Sequence, residues 1–512
     1  MNQLCRTRVS TAHRAASIAA ALALAAALAV FPAPPAAAQR AERSSDQSSA
    51  QAGPADATAS TTVPTTWLYL GGVATEPQFT DSYVYDFEGI GFSYEGDHLS
   101  LGFEGGLVND EKYSQNHPML RGRYALPERG TLGLQYGRVG FQGGLMVQED
   151  EIDSPYSLFF SSEDLSTMGA ELRYSGDYFS YATRWLELNR DPALYDLERG
   201  ANYKLYQFDF GRFRVGVQEA VVYLGDSFYP EYFFSPVPMF ATQFSNSLAG
   251  TPWQQQYNEN SLVGFFLEYD ADGWSSYGQF FGDDWNEMGL EWIVPDASYN
   301  QPSKFAWAVG GRLETAFGTV GLHQAGASKF TFGPTYSTYH DYNSLPYSYT
   351  YYPKTEYIRD GETLPILPED NYIGYVHGEN NVAVSATYES PTASRGDHAW
   401  DYGAGAEYTI SGSKAPTNPW HEADWHANEG TKFLDESPLE HEAVFELNGM
   451  WKWKGFELRG AAQIGGVWNE LALQEVPGAP EESRIFKPTD TDRFLWEISL
   501  EVRYVFGLGP RE

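Results

Sequence analysis

The sequence predicts an all-β chain that closes as a transmembrane antiparallel β-barrel of about 18 strands, with about 16 the other count the pattern allows, and with long extracellular loops. Three observations predict it. The last strand-like stretch alternates almost without error: Trp496, Ile498, Leu500, Val502, Tyr504 and Phe506 share one parity, and Glu497, Ser499, Glu501 and Arg503 the other. Stretches of the same grammar recur along the chain, and they follow an export signal. A half-buried strand of a soluble sheet has the same period of two, so the recurrence and the signal carry the choice of a membrane barrel.

The elements follow in order. Arg6, Arg8 and Arg14 precede an apolar run from Ala15 to Phe31, and small residues end in Ala36-Ala37-Ala38. Residues 1–38 therefore read as a secretory signal peptide cut before Gln39. The run is short for a spanning helix and has no basic stop-transfer flank. Cys5 is the single cysteine and lies inside this segment, so the exported chain is expected to have no thiol and no disulfide. Residues 39–64 are rich in Ser, Ala, Gln and Thr with little to bury, and are expected to form a disordered periplasmic arm. Residues 65–512 form the barrel.

Without residues 1–38 the chain keeps 30 basic against 68 acidic side chains, a formal charge of −38. Such a surface repels nucleic acid and anionic lipid, and both are excluded as partners, while outer-membrane lipid is expected around the barrel. An aromatic content of 16% and 50 glycines suit interfacial girdles and tight turns. No further spanning helix is read, so closed β-structure is the remaining way to satisfy a backbone in lipid.

The clearest hairpin runs Phe445-Leu447-Gly449-Trp451-Trp453, turns at Lys454-Gly455, and returns as Phe456-Leu458-Gly460-Ala462-Ile464. Its opposite parity, Glu446, Asn448, Lys452, Glu457, Arg459 and Gln463, should face a wet lumen, and Trp451, Trp453 and Phe456 should gather at a headgroup girdle. Inward Glu171, Arg173 and Arg184 are expected to form cross-strand ion pairs. The parity slip between Phe87 and Ile90 suggests a bulge. Turns are read at Gly176 and at Gly211-Arg212, and long loops at residues 225–260, 331–370 and 412–441. The middle loop holds Tyr336, Tyr339, Tyr342, Tyr347, Tyr349, Tyr351, Tyr352 and Tyr357, suited to sugar rings or to packing across a barrel mouth.

Two constellations bear on chemistry. His421 and His426 flank Glu422 and Asp424, but they are five apart in a loop, whereas a zinc protease wants them four apart on a helix. A solvated acidic loop is the reading, and no metal or cofactor is expected. His340-Asp341 near Ser344 is the segment that could be pressed into a hydrolase, and it matches no such pattern. The chain is not expected to be an enzyme.

From Phe213 the sequence RVGVQEAVVYLGDSFYPEYFFSPVPMFATQFSN and, after Pro252-Trp253, YNENSLVGFFLEYDADGWSSYGQFFGDDW to Trp285 is dense in specific polar residues. It resembles the outer-membrane barrels grouped with the capsule assembly protein Wzi. The matching positions are Glu219 and Tyr223, Pro236 and Pro238, Asn260, and Asp283 with Asp284. The resemblance implies a barrel in the bacterial outer membrane that binds or helps assemble a surface or exported polysaccharide, with Glu219, Tyr223, Pro236, Asn260, Asp283 and Asp284 as ligand-binding positions. The arm at 39–64 lacks the helical pattern that such proteins use at their periplasmic end. Read as residues alone, the same set would serve as a buried polar network that folds a loop into the barrel. A porin or substrate-selective channel is the alternative function.

Overall fold

The computed structural model describes residues 64–76, 84–109, 123–160, 166–189, 198–224, 226–246, 248, 250–252, 259–284, 304–333, 356–359, 362–365, 373–414, 432–474 and 485–507. The segments read from the sequence as signal peptide and N-terminal arm (Pro64 apart), the His421–His426 segment, His340-Asp341 and nearly all of the tyrosine-rich loop lie outside these residues.

Eighteen antiparallel strands form one closed barrel: β1 (Thr65–Thr75), β2 (Val84–Glu95), β3 (Leu99–Val108), β4 (Tyr124–Tyr136), β5 (Val139–Val147), β6 (Ser166–Ser175), β7 (Phe179–Asn189), β8 (Arg199–Phe210), β9 (Phe213–Leu224), β10 (Glu259–Ala271), β11 (Trp274–Asp284), β12 (Lys304–Thr315), β13 (Gly318–Ala327), β14 (Asn381–Glu389), β15 (His398–Ser411), β16 (Glu440–Trp453), β17 (Phe456–Trp468) and β18 (Arg493–Gly507). Ala393–Arg395 continues β14 along β15 after a break at Pro391, which has no N–H to give the ladder. Two short helices, α1 (Pro230–Phe234) and α2 (Met239–Asn246), lie between β9 and β10. Each strand pairs with its sequence neighbour, and β18 closes on β1 from Gly507 opposite Thr65 to Glu497 opposite Thr75.

Connections alternate in length. Short turns such as Gly211-Arg212 and Lys454-Gly455 gather at one end with the start of β1 and the end of β18, and the long connections gather at the other. The two-residue turns need left-handed backbone, supplied by Gly211 at φ 74° and, at a steric cost, by Lys454 at φ 53°.

One parity carries the outer face. Leu68, Leu70, Phe103, Leu132, Phe208, Phe265, Leu322, Phe445, Ile464 and Leu500 all point away from the lumen and are exposed. An apolar belt of that extent around a closed barrel needs lipid rather than water as its solvent. At the turn end, rings of Trp451, Trp453, Phe456, Tyr504 and Phe506 follow one another in stacked, tilted and T-shaped contacts as the expected girdle. No helix among the described residues is long and apolar enough to cross a membrane, which says nothing against strands doing so.

One expected detail is corrected. β2 keeps unbroken register against both β1 and β3, so there is no bulge between Phe87 and Ile90. Phe87 points inward and Ile90 outward. Gly71 opposite leaves the space that the Phe87 ring takes, since a Cβ there would meet it at 2.3 Å. Register shifts occur instead at Glu104/Gly105 beside Pro127, at Gly282/Asp284 and at Glu187/Asn189.

The core sits inside the barrel but to one side. Ile152, Tyr156, Leu158, Phe159 and Phe160 from the β5–β6 connection join Phe332, Ile373 and Tyr375 from the β13–β14 connection. They pack on a wall of small inward residues, Ala182, Ala201, Ala220, Ala306, Ala308, Ala325, Ala327 and Ala383. Alanine there leaves room for rings, as does Gly264, where an added Cβ would stand 2.6 Å from Phe159. Gly264→Val is therefore expected to overpack this seam by about 1–3 kcal/mol, read as a lower urea midpoint for refolded barrel.

Candidate functional site

The residues of the distinctive hairpin divide between the two faces of one stretch of wall. Glu219 and Tyr223 lie on the outward parity of β9, with Glu219 opposite Lys204 of β8 and Val263 of β10. Placing Glu219 in the lumen, as the buried-network reading of the sequence has it, is thus corrected: a residue of odd number on β9 shares its face with exposed Phe213. Lys204 and Glu219 are nevertheless sealed, at 0% and 1% exposure. The segment that carries α1 and α2 folds down over the outside of β7–β10 and covers them.

Wall side chains hold that segment by its backbone. Lys204 Nζ donates to the carbonyl of Val237 at 2.6 Å, and the backbone N–H of Met239 donates to Glu219 Oε2 at 3.0 Å. Thr183 donates to the carbonyl of Phe233 at 2.9 Å, Tyr206 to that of Pro236 at 3.0 Å, and Trp185 Nε1 to that of Ser227 at 2.5 Å. Tyr223 donates to Asn202 Oδ1 at 2.8 Å and accepts from the N–H of Tyr229 at 3.3 Å. Pro236 thus takes part through its carbonyl.

Asn260 and Asp283 face inward, and the bulge at Gly282/Asp284 lets Asp283 meet both Asn260 and Lys304. Asn260 Nδ2 donates to Asp283 Oδ1 at 3.0 Å, and Lys304 Nζ stands 2.7 Å from Asp283 Oδ2 with both side chains essentially inaccessible. Lys304 also donates to the carbonyl of Gly333 at 2.8 Å, tying the β13–β14 connection to the wall. The Asp284 side chain lies outside the described residues. Glu219 and Tyr223 are joined through the outer segment, Asn260 and Lys304 through Asp283, and the two sets face opposite sides.

A third cluster is not read from the sequence. Asp150 accepts from Gln279 Nε2 and Ser157 Oγ, both at 2.8 Å, from the N–H of Glu151 at 2.7 Å and of Phe159 at 3.3 Å, and from Gln218 Nε2. Gln279 Oε1 takes the N–H of Leu158 at 2.9 Å. Arg173 and Arg184 form the expected inner ion pairs with Glu171, at 2.8 and 2.6 Å, and also bind the connection, through Glu151 at 2.5 Å and the carbonyl of Glu149 at 2.9 Å. The signal in the sequence is the run Leu158-Phe159-Phe160, apolar without alternation in a stretch that is no strand.

Deeper in the same connection, Tyr156 donates to Glu407 Oε2 at 2.5 Å, and His377 Nε2 stands 3.1 Å from Glu407 Oε1. Burial works against a charged His377 and Lys414 opposes it too, but Glu407, aided by Glu442, outweighs them and raises its pKa above the ordinary value. Tyr375 and Tyr156 complete its surroundings. A raised folded value stabilises the protonated form. The contribution is full below the ordinary histidine range near pH 6.5 and is lost as pH rises through the folded value. Hydrogen-exchange protection of residues 373–380, taken relative to the intrinsic base-catalysed rate at each pH, should therefore fall as pH rises through the folded value of His377, and His377→Gln should remove that fall.

The arc away from the core carries the charges. Glu104, Arg503, Glu501, Arg459, Glu457 and Lys452 run as a chain of alternating sign, with successive gaps of 3.3, 3.1, 4.0, 2.9 and 3.3 Å. Arg503 also lies over the rings of Trp67 and Tyr69. Inward Glu446, Asn448, Arg459 and Gln463 reach solvent inside the barrel. The described residues hold no group of three or more His, Cys, Asp and Glu arranged to bind a metal.

No protein-family model and no curated protein matches this chain. Among solved structures, the chain is similar to Wzi of Escherichia coli, described as a carbohydrate-binding β-barrel involved in group 1 capsule assembly, at 13% identity over 86% of this chain and 85% of that one, with a TM-score of 0.49. It is also similar to two Pseudomonas aeruginosa barrels. OccD3 (OpdP) shows 10% identity over 88% and 92% of the chains, with a TM-score of 0.42. OccK2 (OpdF) in complex with glucuronate shows 8% over 88% and 97%, with a TM-score of 0.43. The shared property is the outer-membrane β-barrel.

Proposed function

We propose that this barrel is exported to the bacterial outer membrane and there holds a surface or exported polysaccharide at its long-loop end, without catalysis. The observation that carries this reading is the apolar core built inside the lumen from residues 152–160, 332, 373 and 375. It fills the part of the lumen that a wide diffusion pore would need open. Tyrosines between residues 336 and 357 supply flat faces for sugar rings and hydroxyls for their rims. The motif side chains Glu219, Tyr223 and Asp283 are buried and Asn260 is partly buried, and in this reading they shape the wall while the loops meet the glycan.

Purified barrel on a glycan array should retain hydroxyl-rich polysaccharides with few acidic groups, because a chain of charge −38 repels polyanions. A strain lacking the protein should lose surface polysaccharide. An empty array together with an unchanged surface would overturn the proposal. A second reading, a narrow substrate-selective channel, is favoured by the solvent-reaching Glu446, Asn448, Arg459 and Gln463. Steady single-channel current in a planar bilayer would select it, whereas an electrically silent barrel selects the glycan holder.

A further inference from the structure

We propose that the segment carrying α1 and α2 is an outer flap that lies in the membrane, with its exposed face against the acyl chains of the outer leaflet. It insulates a charged pair on the lipid side of the wall.

Position is the first argument. Lys204 lies about six residues above the turn end of β8 at Phe210, which at ~3.3 Å per residue and a ~45° tilt is ~14 Å up a belt that spans ~25 Å. Glu219 is directly opposite it. Uncovered, both charges would face hydrocarbon. Elsewhere on the outer face Asp86 and Glu88 are left about half exposed, at 47% and 49%, and there Arg123 pairs with both. Lys204 and Glu219 are sealed because the flap lies over them and bonds to both.

Chemistry is the second. From residue 225 to 258 the sequence has no Lys, Arg or His, so this surface offers no cation to a headgroup phosphate. Tyr232, Phe233 and Met239 turn toward the wall, while Phe234 and Phe240 are 67% and 52% exposed and Val237 stands between them. Phe208, Phe213 and Phe265 of the belt are exposed on the same outer face of the wall that the flap covers. Backbone satisfaction is the third. A segment in lipid must find partners for its polar groups. Pro230, Pro236 and Pro238 have no N–H to satisfy, and the carbonyls of Ser227, Phe233, Pro236 and Val237 each receive a wall donor.

The test uses spin labels. In a chain with Cys5→Ser, Phe234→Cys and Phe240→Cys each take one nitroxide, and the barrel is refolded into phosphatidylcholine vesicles. Phe208→Cys gives the reference for lipid and Asp272→Cys, at a fully exposed turn, the reference for water. Collision rates with oxygen and with a water-soluble nickel complex should shift at both flap sites from the water value to the lipid value. Nickel collisions as frequent as at Asp272 would overturn the proposal, as would spin–spin broadening that reports a second copy on the flap. Heat-modifiable gel migration verifies folding, and Val237→Cys replaces any label site that fails it. Phe240→Asp gives a second readout: insertion into vesicles should fall sharply while folding in detergent micelles is kept, and equal insertion would count against a lipid face.

Discussion

Asp150→Ala should unseat the β5–β6 connection from the lumen and lower the stability of the barrel by at least about 3 kcal/mol, because several buried donors lose their acceptor at once. The carboxylate takes hydrogen bonds from both glutamines on the wall and from two backbone N–H groups of the connection itself. Asp150→Asn keeps the shape and part of the acceptor capacity, so it should cost less. The measurement is the temperature at which folded barrel converts to the slow-migrating form on a gel, together with conductance in a planar bilayer. A seated core keeps Ile152, Leu158, Phe159 and Phe160 away from the water of the lumen. Its loss should appear as ion current absent from the parent. Unchanged melting and an unchanged bilayer would show that the hub does not hold the core.

Lys304→Met should cost about 3–5 kcal/mol, since it leaves the Asp283 carboxylate buried without the cation beside it. The sharper expectation concerns the pair. Asp283→Leu with Lys304→Met removes both charges and should recover most of that loss, because the desolvation cost of an ion pair disappears with the pair itself. A double-mutant cycle in urea gives the coupling directly. Additive losses would mean that Lys304 matters through its bond to the carbonyl of Gly333 and not through Asp283.

The barrel was legible because its wall obeys a rule that each strand states separately. The parity of Trp496 to Phe506, or of Phe445 to Trp453, already says which side chains meet lipid, and the closed ladder adds only the order of neighbours. Glu171, Arg173 and Arg184 could be placed inward and paired for the same reason. What escaped was everything that depends on connections returning to the wall. Glu219 has outward parity, yet a charge on that parity looked wrong for a membrane face, and only the covering segment resolves the conflict. The alanines at 306, 308, 325, 327 and 383 were a quieter hint. Small residues at successive inward positions mean that something large fills the space, but parity alone does not say that it is Phe159, Phe332 or Tyr375. Phe87 misled in the opposite sense, since its ring occupies the room left by Gly71 and needs no bulge.

The lumen core draws on residues 152–160, 332 and 373–375, which belong to connections separated by eight strands of wall. None of these pieces has a surface to pack on until the strands between them are in register, and the seam of β1 with β18 joins the two ends of the described chain. Contacts of such sequence separation pay their loop-closure entropy before they give anything back. The wall therefore has to form first and the filling last, so a refolding experiment should see strand structure by circular dichroism well before resistance to heat and urea. During that interval the cell would hold a barrel that is closed, inserted and still hollow.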